Sequence, residues 1–316
     1  MLLVLSIVLP VFGLIAIGFA AVRSGLLPET AADGMGAFMY KIAVPVLVFR
    51  ALAEADFPDR PDFAFWGAYF IGVAVAWTLA EWTARRLGVT GPTAIITGVS
   101  ASFSNTVLIG IGLITQAFGA PGLVALFVLV AIHLPLLGFV ITLRLEGGQG
   151  RISDIIWKTA KGLAKNPIIL GIVTGTVFNL AGLGVPDLAR PLIDPIASAA
   201  VPVALITAGV SLSAHLAEGV SRPVIAACAI KLLVMPAVVW MMAFYVFDVP
   251  PLWAAVAVLL AAAPAGINAY LFALPYPKAV PIASGAVALS TLFAVVTVSL
   301  WIALLAANGT VFRNGL

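Results

Sequence analysis

Apolar residues fill this chain in long, nearly unbroken blocks, and polar or charged residues collect in the short gaps between them. A helix needs about 20 mostly apolar residues to cross the hydrocarbon of a bilayer. Ten blocks reach that length: 2–22, 32–52, 63–84, 92–118, 122–143, 167–184, 191–212, 223–247, 252–274 and 280–306. The pattern predicts an all-α integral membrane protein with ten transmembrane helices. The first block has no basic residue before Arg23 and is long enough to span, so it is expected to be a transmembrane helix rather than a cleaved leader.

The gaps are short except for residues 144–166, which carry most of the charge. They divide the chain into two five-helix parts, 1–150 and 151–316. The parts share landmarks. Ala43-Val44-Pro45-Val46 in the second block matches Ala200-Val201-Pro202-Val203 in the seventh. Ser102-Phe103-Ser104-Asn105 in the fourth stands opposite Ala265-Gly266-Ile267-Asn268 in the ninth. From proline to asparagine the spacing is 60 residues (105 − 45) in one part and 66 (268 − 202) in the other. Two units of five spans must insert in opposite directions, which is the inverted-repeat arrangement of secondary transporters.

Composition narrows the class. Of 316 residues, 63% are hydrophobic and 9% charged, against about 25% charged in soluble domains. Too few ionisable groups are present to clothe a soluble surface, so a soluble enzyme, a nucleic-acid-binding protein and a disordered scaffold are excluded. The net charge of +3 needs no nucleic acid to explain it, because basic residues gather in cytoplasmic loops. One side of the predicted topology holds Arg23, Arg85, Arg86, Arg144, Arg151, Lys158, Lys161, Lys165, Arg222 and Lys278; the other holds Arg50, Arg60, Arg190 and Arg313. That sorting puts the first set in the cytoplasm and both termini outside it, in a multi-pass protein of the cell (inner) membrane. Trp66, Trp157 and Trp253 sit near block ends, as interfacial anchors do.

Candidate chemistry is sparse. The single cysteine, Cys228, allows no internal disulfide, and it and the histidines His133 and His215 fit no zinc spacing. No phosphate-binding glycine motif is present, and no nucleophile, base and orienter stand at usable spacing. No enzyme, cofactor or metal is expected; movement of a solute is. The fourth block holds Thr97, Ser100, Ser102, Ser104, Asn105 and Thr106, too small and polar for a plain lipid-facing helix. The ninth holds Pro264 and Gly266 before Asn268, and the proline removes a backbone donor and breaks a helix. Matched interruptions in both parts point to a transporter's binding site. Each would bare a helix N-terminus, whose free N–H groups favour an anion, with the amides of Asn105 and Asn268 as further donors. Ser102, Ser104 and Thr106 could equally glue helices together.

Two basic side chains lie within blocks. Lys41 could snorkel to the interface. Lys231 is deeper and could attract a substrate anion or pair with a carboxylate. His133 could carry protons, or be neutral and bonded to a backbone carbonyl. Glu81 and Arg85 are spaced as an ordinary helix pair.

At these residues the chain resembles the auxin efflux carrier family, which includes plant auxin exporters and bacterial carriers labelled malonate or malate transporters. The resemblance rests on Ser102–Thr106 with Ile109-Gly110-Ile111-Gly112-Leu113, and on Lys165-Asn166-Pro167. It extends through Val201-Pro202-Val203, Gly209-Val210-Ser211, Lys231–Pro236, Ala263–Ala269 and Ser290-Thr291-Leu292. It implies ten helices in two inverted repeats. Helices one, two, six and seven would form a scaffold, often dimeric. Helices three to five and eight to ten would form a moving transport unit. Helices four and nine would be broken and cross, with substrate between them at Asn105 and Asn268. No proline falls within the first crossover, so its break is expected to be softer than that at Pro264. The long central loop of plant members is missing, which puts the chain with the bacterial forms.

The expected function is therefore elevator-like secondary transport of small organic anions such as mono- or dicarboxylates, with a homodimer as a partner state. The rivals are a sodium-coupled symporter of the bile-acid-carrier type and a non-transport sensor or structural protein. No Asp or Glu lies in the crossover segments to serve sodium, and no cytoplasmic domain is present to relay a signal.

Overall fold

A computed structural model describes residues 2–57, 63–146, 152–215 and 220–313. Arg60 and Arg151, counted above in the loops, fall outside the described residues, as does the 150/151 boundary. Twelve helices make up the described chain: α1 (Leu2–Arg23), α2 (Ala31–Ala53), α3 (Phe63–Arg86), α4 (Gly91–Ser102), α5 (Thr106–Leu145), α6 (Ile152–Ala164), α7 (Pro167–Leu180), α8 (Arg190–His215), α9 (Arg222–Val246), α10 (Pro251–Ala262), α11 (Ile267–Ala273) and α12 (Val280–Ala307). Seven of them are long and apolar enough to cross a membrane alone, and the pair α6 and α7, bent by 66°, would make an eighth span. The fold is that of a multi-pass, all-helical membrane protein.

Local chemistry explains the boundaries. Proline opens α4, α7, α9, α10 and α12 within their first two residues, where a missing N–H costs nothing. Asn166 caps α7, its Oδ1 accepting from the amides of Ile168 (2.9 Å) and Ile169 (3.4 Å). Blocks four and five were expected as separate spans; the break between them is at Gly119 (φ 66°, ψ −146°), inside the α5 range. Residues 144–166 are not simply a loop. Ile152, Ile155 and Ile156 recur at helical spacing against Lys158 and Lys161, and the segment folds as the amphipathic helix α6, of which Ile155 alone is buried.

Internal prolines leave marks too. Pro45 and Pro236 each follow a widened turn, at Met39–Ala43 and Ile230–Val234, because the proline ring crowds the carbonyl four residues back. The carbonyl so displaced at Leu232 accepts from the indole N–H of Trp301 at 3.0 Å.

Helices α1, α2, α7 and α8 pack as one group. Glycines set the close crossings. A Cβ on Gly18 would lie 2.1 Å from the Ile206 carbonyl oxygen, and one on Gly209 1.9 Å from that of Ile15. On α7, a Cβ on Gly171 would meet the Pro45 oxygen at 2.7 Å and one on Gly175 the Phe49 oxygen at 2.8 Å. Small residues admit such backbone contact between membrane helices. A second group gathers α3, α4, α9, α10, α11 and α12 together with α5, which also touches α1 and α8. Its centre is α10, where every residue from Ala254 to Ala262 is buried. Large apolar side chains such as Leu9, Val177, Phe293 and Leu300 face outward, as a lipid-facing surface requires.

Candidate functional site

Two interruptions meet in the middle of the molecule. The first, residues 103–105, separates α4 from α5; Phe103 is extended (φ −86°, ψ 104°). The second, residues 263–266, separates α10 from α11; Ala263 (φ −59°, ψ 147°) and Gly266 (φ −77°, ψ 148°) are extended. The segments run antiparallel and pair at Ser104 and Ala265. The Asn105 amide donates to the Pro264 oxygen at 2.8 Å, and the Gly266 amide to the Phe103 oxygen at 2.7 Å. Backbone groups freed at bilayer depth must find protein partners, and each break supplies the other's. The first break forms without a proline of its own, and its backbone is paired with Pro264 and Gly266 from across the crossing.

Side chains add further bonds. The Ala265 amide donates to Ser290 Oγ of α12 at 2.9 Å. The Tyr69 hydroxyl of α3 donates to Ser104 Oγ at 3.2 Å. Asn105 Oδ1 accepts from the Leu108 amide at 3.2 Å and caps the start of α5. With its oxygen so used, the donor side of the Asn105 amide remains for a ligand.

A cavity of about 900 Å³ opens on the pair. Phe103, Ser104, Asn105 and Thr106 line it from the first break, and Gly266, Ile267 and Asn268 from the second. Thr207 and Ser211 of α8 line it from the other helix group, and Glu29 and Asp33 stand in its lining before and within α2. No lysine or arginine does so among the described residues.

The predicted site residues thus separate. Asn105, Asn268, Ser104, Thr106 and Gly266 come together on the cavity. Asn105 and Asn268 are not equivalent, however: Asn105 lies in its break, and Asn268 is the second residue of α11. Ser102 is fully buried and its hydroxyl donates back to Gly98 O at 2.9 Å, a bond within its own helix. Pro264 faces the pair through its carbonyl and is absent from the lining. Lys231 is fully buried off the cavity, its Nζ donating to the Ala261 carbonyl near the end of α10. His133 is also fully buried off the cavity, ringed by Tyr69, Phe70 and Phe103, and neither of its nitrogens has a hydrogen-bond partner in the described residues. The Phe103 ring, which lines the cavity, and Tyr69, which donates to the cavity-lining Ser104, stand between it and the cavity.

Other contributors were not foreseen. Tyr69 and Ser290 hold the breaks from separate helices, and no local pattern marks a lone tyrosine or serine in an apolar run as a partner for distant backbone. Glu81 is more than half of a helix pair with Arg85: it also accepts from Arg144 Nη2 (2.8 Å) and Trp77 Nε1 (2.9 Å). No group of three or more metal-ligating side chains occurs among the described residues.

Comparison with known proteins points to membrane transport. The family model described as "Membrane transport protein" matches residues 3–302. A protein of Rhizobium meliloti named "Putative malonate transporter" is 24% identical over 302 residues, covering 93% of each chain. An "Uncharacterized transporter" of Methanothermobacter thermautotrophicus is 27% identical over 299 residues, covering 93% of this chain and 96% of its own.

Proposed function

The chain belongs to the membrane transport protein family, a family of transport proteins and not of enzymes, and from that premise we propose that it is a secondary carrier of small organic anions. The observation that carries this reading is the pair of crossed breaks opening on a cavity of about 900 Å³. Irregular backbone inside a membrane protein is tolerated where it lines a cavity, and transporters bind substrate at such breaks near the bilayer midplane. The donor side of Asn105, the amide of Asn268 and the first turn of α5 would hold the anion without a fixed positive charge. The name of the Rhizobium meliloti relative makes a dicarboxylate such as malonate the first substrate to try.

Ten spans in two inverted repeats, 1–150 and 151–316, account for the geometry. In this reading α5 supplies the second half of span four and all of span five, and α10 with α11 makes span nine. One shift relates the close helix crossings: it carries Gly18 to Gly175, Phe49 to Ile206 and Pro45 to Pro202 (175 − 18, 206 − 49 and 202 − 45 are each 157). The contact of Gly18 with Ile206 thereby becomes the contact of Gly175 with Phe49. Helices α1, α2, α7 and α8 would be the scaffold, and the group centred on α10 the moving unit, sliding as in an elevator. Glu29 and Asn166, which line the cavity, adjoin the basic segments around Arg23 and Lys165. With those segments cytoplasmic, this conformation is open to the cell interior and both termini are outside.

The test is uptake into proteoliposomes of radiolabelled malonate, malate and indole acetate, with and without sodium or a pH step. Saturable uptake of at least one is expected. Cation current without uptake of any of the three would refute the reading.

A further inference from the structure

We propose that the ammonium of Lys231 is the resident cation of the crossed breaks, standing where a coupling sodium would otherwise be held, and that transport is sodium-independent for that reason. The proposal rests on the anion-carrier reading above.

Lys231 owes its position to Pro236. The proline widens the turn at Ile230–Val234, and such single wide turns recur at functional sites. From that turn the side chain enters the protein, fully buried. Its Nζ donates to the carbonyl of Ala261, the residue before the last of α10, and lies 3.5 Å from Met235 Sδ. The last carbonyls of a helix lack partners within it and form the negative end of its dipole. In discontinuous transporter helices, such ends coordinate sodium or protons. Here the end of α10 is met by a cation tethered to α9.

No carboxylate pairs with that cation among the described residues. On α3, Glu81 is held by Arg85, Arg144 and Trp77, and Tyr69 donates to Ser104. On α9 itself, Cys228 faces the Ala286 carbonyl of α12. Helices α4, α10 and α12 carry no ionisable side chain. The remaining ionisable group in electrostatic reach is His133 of α5, which has no hydrogen-bond partner among the described residues. A charge at bilayer depth costs at least about 2.5–3.5 kcal/mol, and an apolar side chain of the same length would fill the space without that cost. The charge itself is therefore the useful part. It neutralises the end of α10 just before the turn that lines the cavity, and it does so without the several oxygen ligands a metal ion needs.

The experiment uses purified wild type, Lys231→Met and Lys231→Arg, in detergent and in proteoliposomes. Thermal unfolding is followed in sodium chloride and in choline chloride, and malonate, malate and indole acetate exchange is measured in the same salts. Wild type is expected to gain no sodium-specific stabilisation and to exchange equally in both salts. Lys231→Met keeps the packing and loses the charge: its Tm stays level or rises, while exchange falls by about ten-fold or more, within the range of coupling between sites. Lys231→Arg restores charge and recovers most of the exchange. Sodium-specific stabilisation of wild type overturns the proposal whether or not exchange is seen. So does Lys231→Met that exchanges like wild type, or whose Tm collapses together with its exchange. Wild type that exchanges none of the three anions, with no response of Tm to sodium, refutes the carrier reading and leaves the lysine assignment standing on the unfolding data.

Discussion

Adding one methyl group at Gly266 perturbs the crossed breaks more directly than any other single change. The glycine has an ordinary extended backbone (φ −77°, ψ 148°), so alanine meets no dihedral penalty. Its Cβ, however, would lie 2.9 Å from the Ser104 carbonyl oxygen and 3.3 Å from Phe103 Cδ1. Ordinary contact begins near 3.4 Å, so the paired segments must separate by about 0.5 Å. The nearest atom is backbone and is tied by the Gly266–Phe103 hydrogen bond of 2.7 Å, so no side-chain rotation relieves it. Overpacking of this kind costs about 1–3 kcal/mol, which corresponds to about 5- to 150-fold in an equilibrium constant. Gly266→Ala is expected to lose exchange by a factor in that range, with Tm lowered by a few degrees. Gly138→Ala is the control: Gly138 also lines the cavity, but its Cβ would meet nothing within 4 Å, and alanine suits a helix better by about 1 kcal/mol. It should keep exchange and hold or raise Tm. Wild-type exchange and Tm in Gly266→Ala would refute the assignment of the paired breaks as a tight, functional contact.

Further outcomes follow from the charges. Glu81→Gln loses charge-assisted bonds to Arg85 and Arg144, both about half exposed; solvent screening limits the loss to about 1–2 kcal/mol, seen as a Tm lower by a few degrees, and an unchanged Tm would contradict it. Glu29 and Asp33 place negative charge along the cavity, so Glu29→Gln with Asp33→Asn should lower KM for a dicarboxylate about two- to five-fold at low ionic strength and lose that advantage in high salt. A KM that is unchanged or raised at low salt would count against an anionic substrate.

Much of the architecture was legible because the membrane imposes simple constraints. Span length limited where helices could run, and Pro264 in one break and the polar string ending at Asn105 in the other showed where they stop. Pairing of the breaks was legible only as an implication of resemblance, since nothing local in Ser102–Thr106 encodes the partner it finds at residues 264–266. The matched spacing of Asn105 and Asn268 misled about where each stands in its break. Asn105 comes three residues after the end of α4 (105 − 102) and Asn268 six after the end of α10 (268 − 262), so the first falls in its break and the second beyond it, in α11. Lys231 was identifiable as a costly buried charge, but its direction was not: the wide turn before Pro236 aims it at Ala261 and away from the cavity. Glu29 in a short connection and Asp33 at the start of the second block drew no notice, and only the packing of α2 brings them onto the cavity.

The central claim is that uncharged donors at the crossed breaks hold the transported anion. Its most direct test is equilibrium exchange of the radiolabelled carboxylate by wild type and by Asn105→Ser combined with Asn268→Ala. Serine keeps an oxygen able to cap α5, so the fold and its Tm should be retained. The shorter serine cannot both cap α5 and reach the ligand as the Asn105 amide does, so with Asn268 truncated two bonds to a charged ligand are lost, at about 1.5–3 kcal/mol each, and saturable exchange should fall by more than about 100-fold. Saturable exchange at the wild-type rate in the double variant would contradict the account.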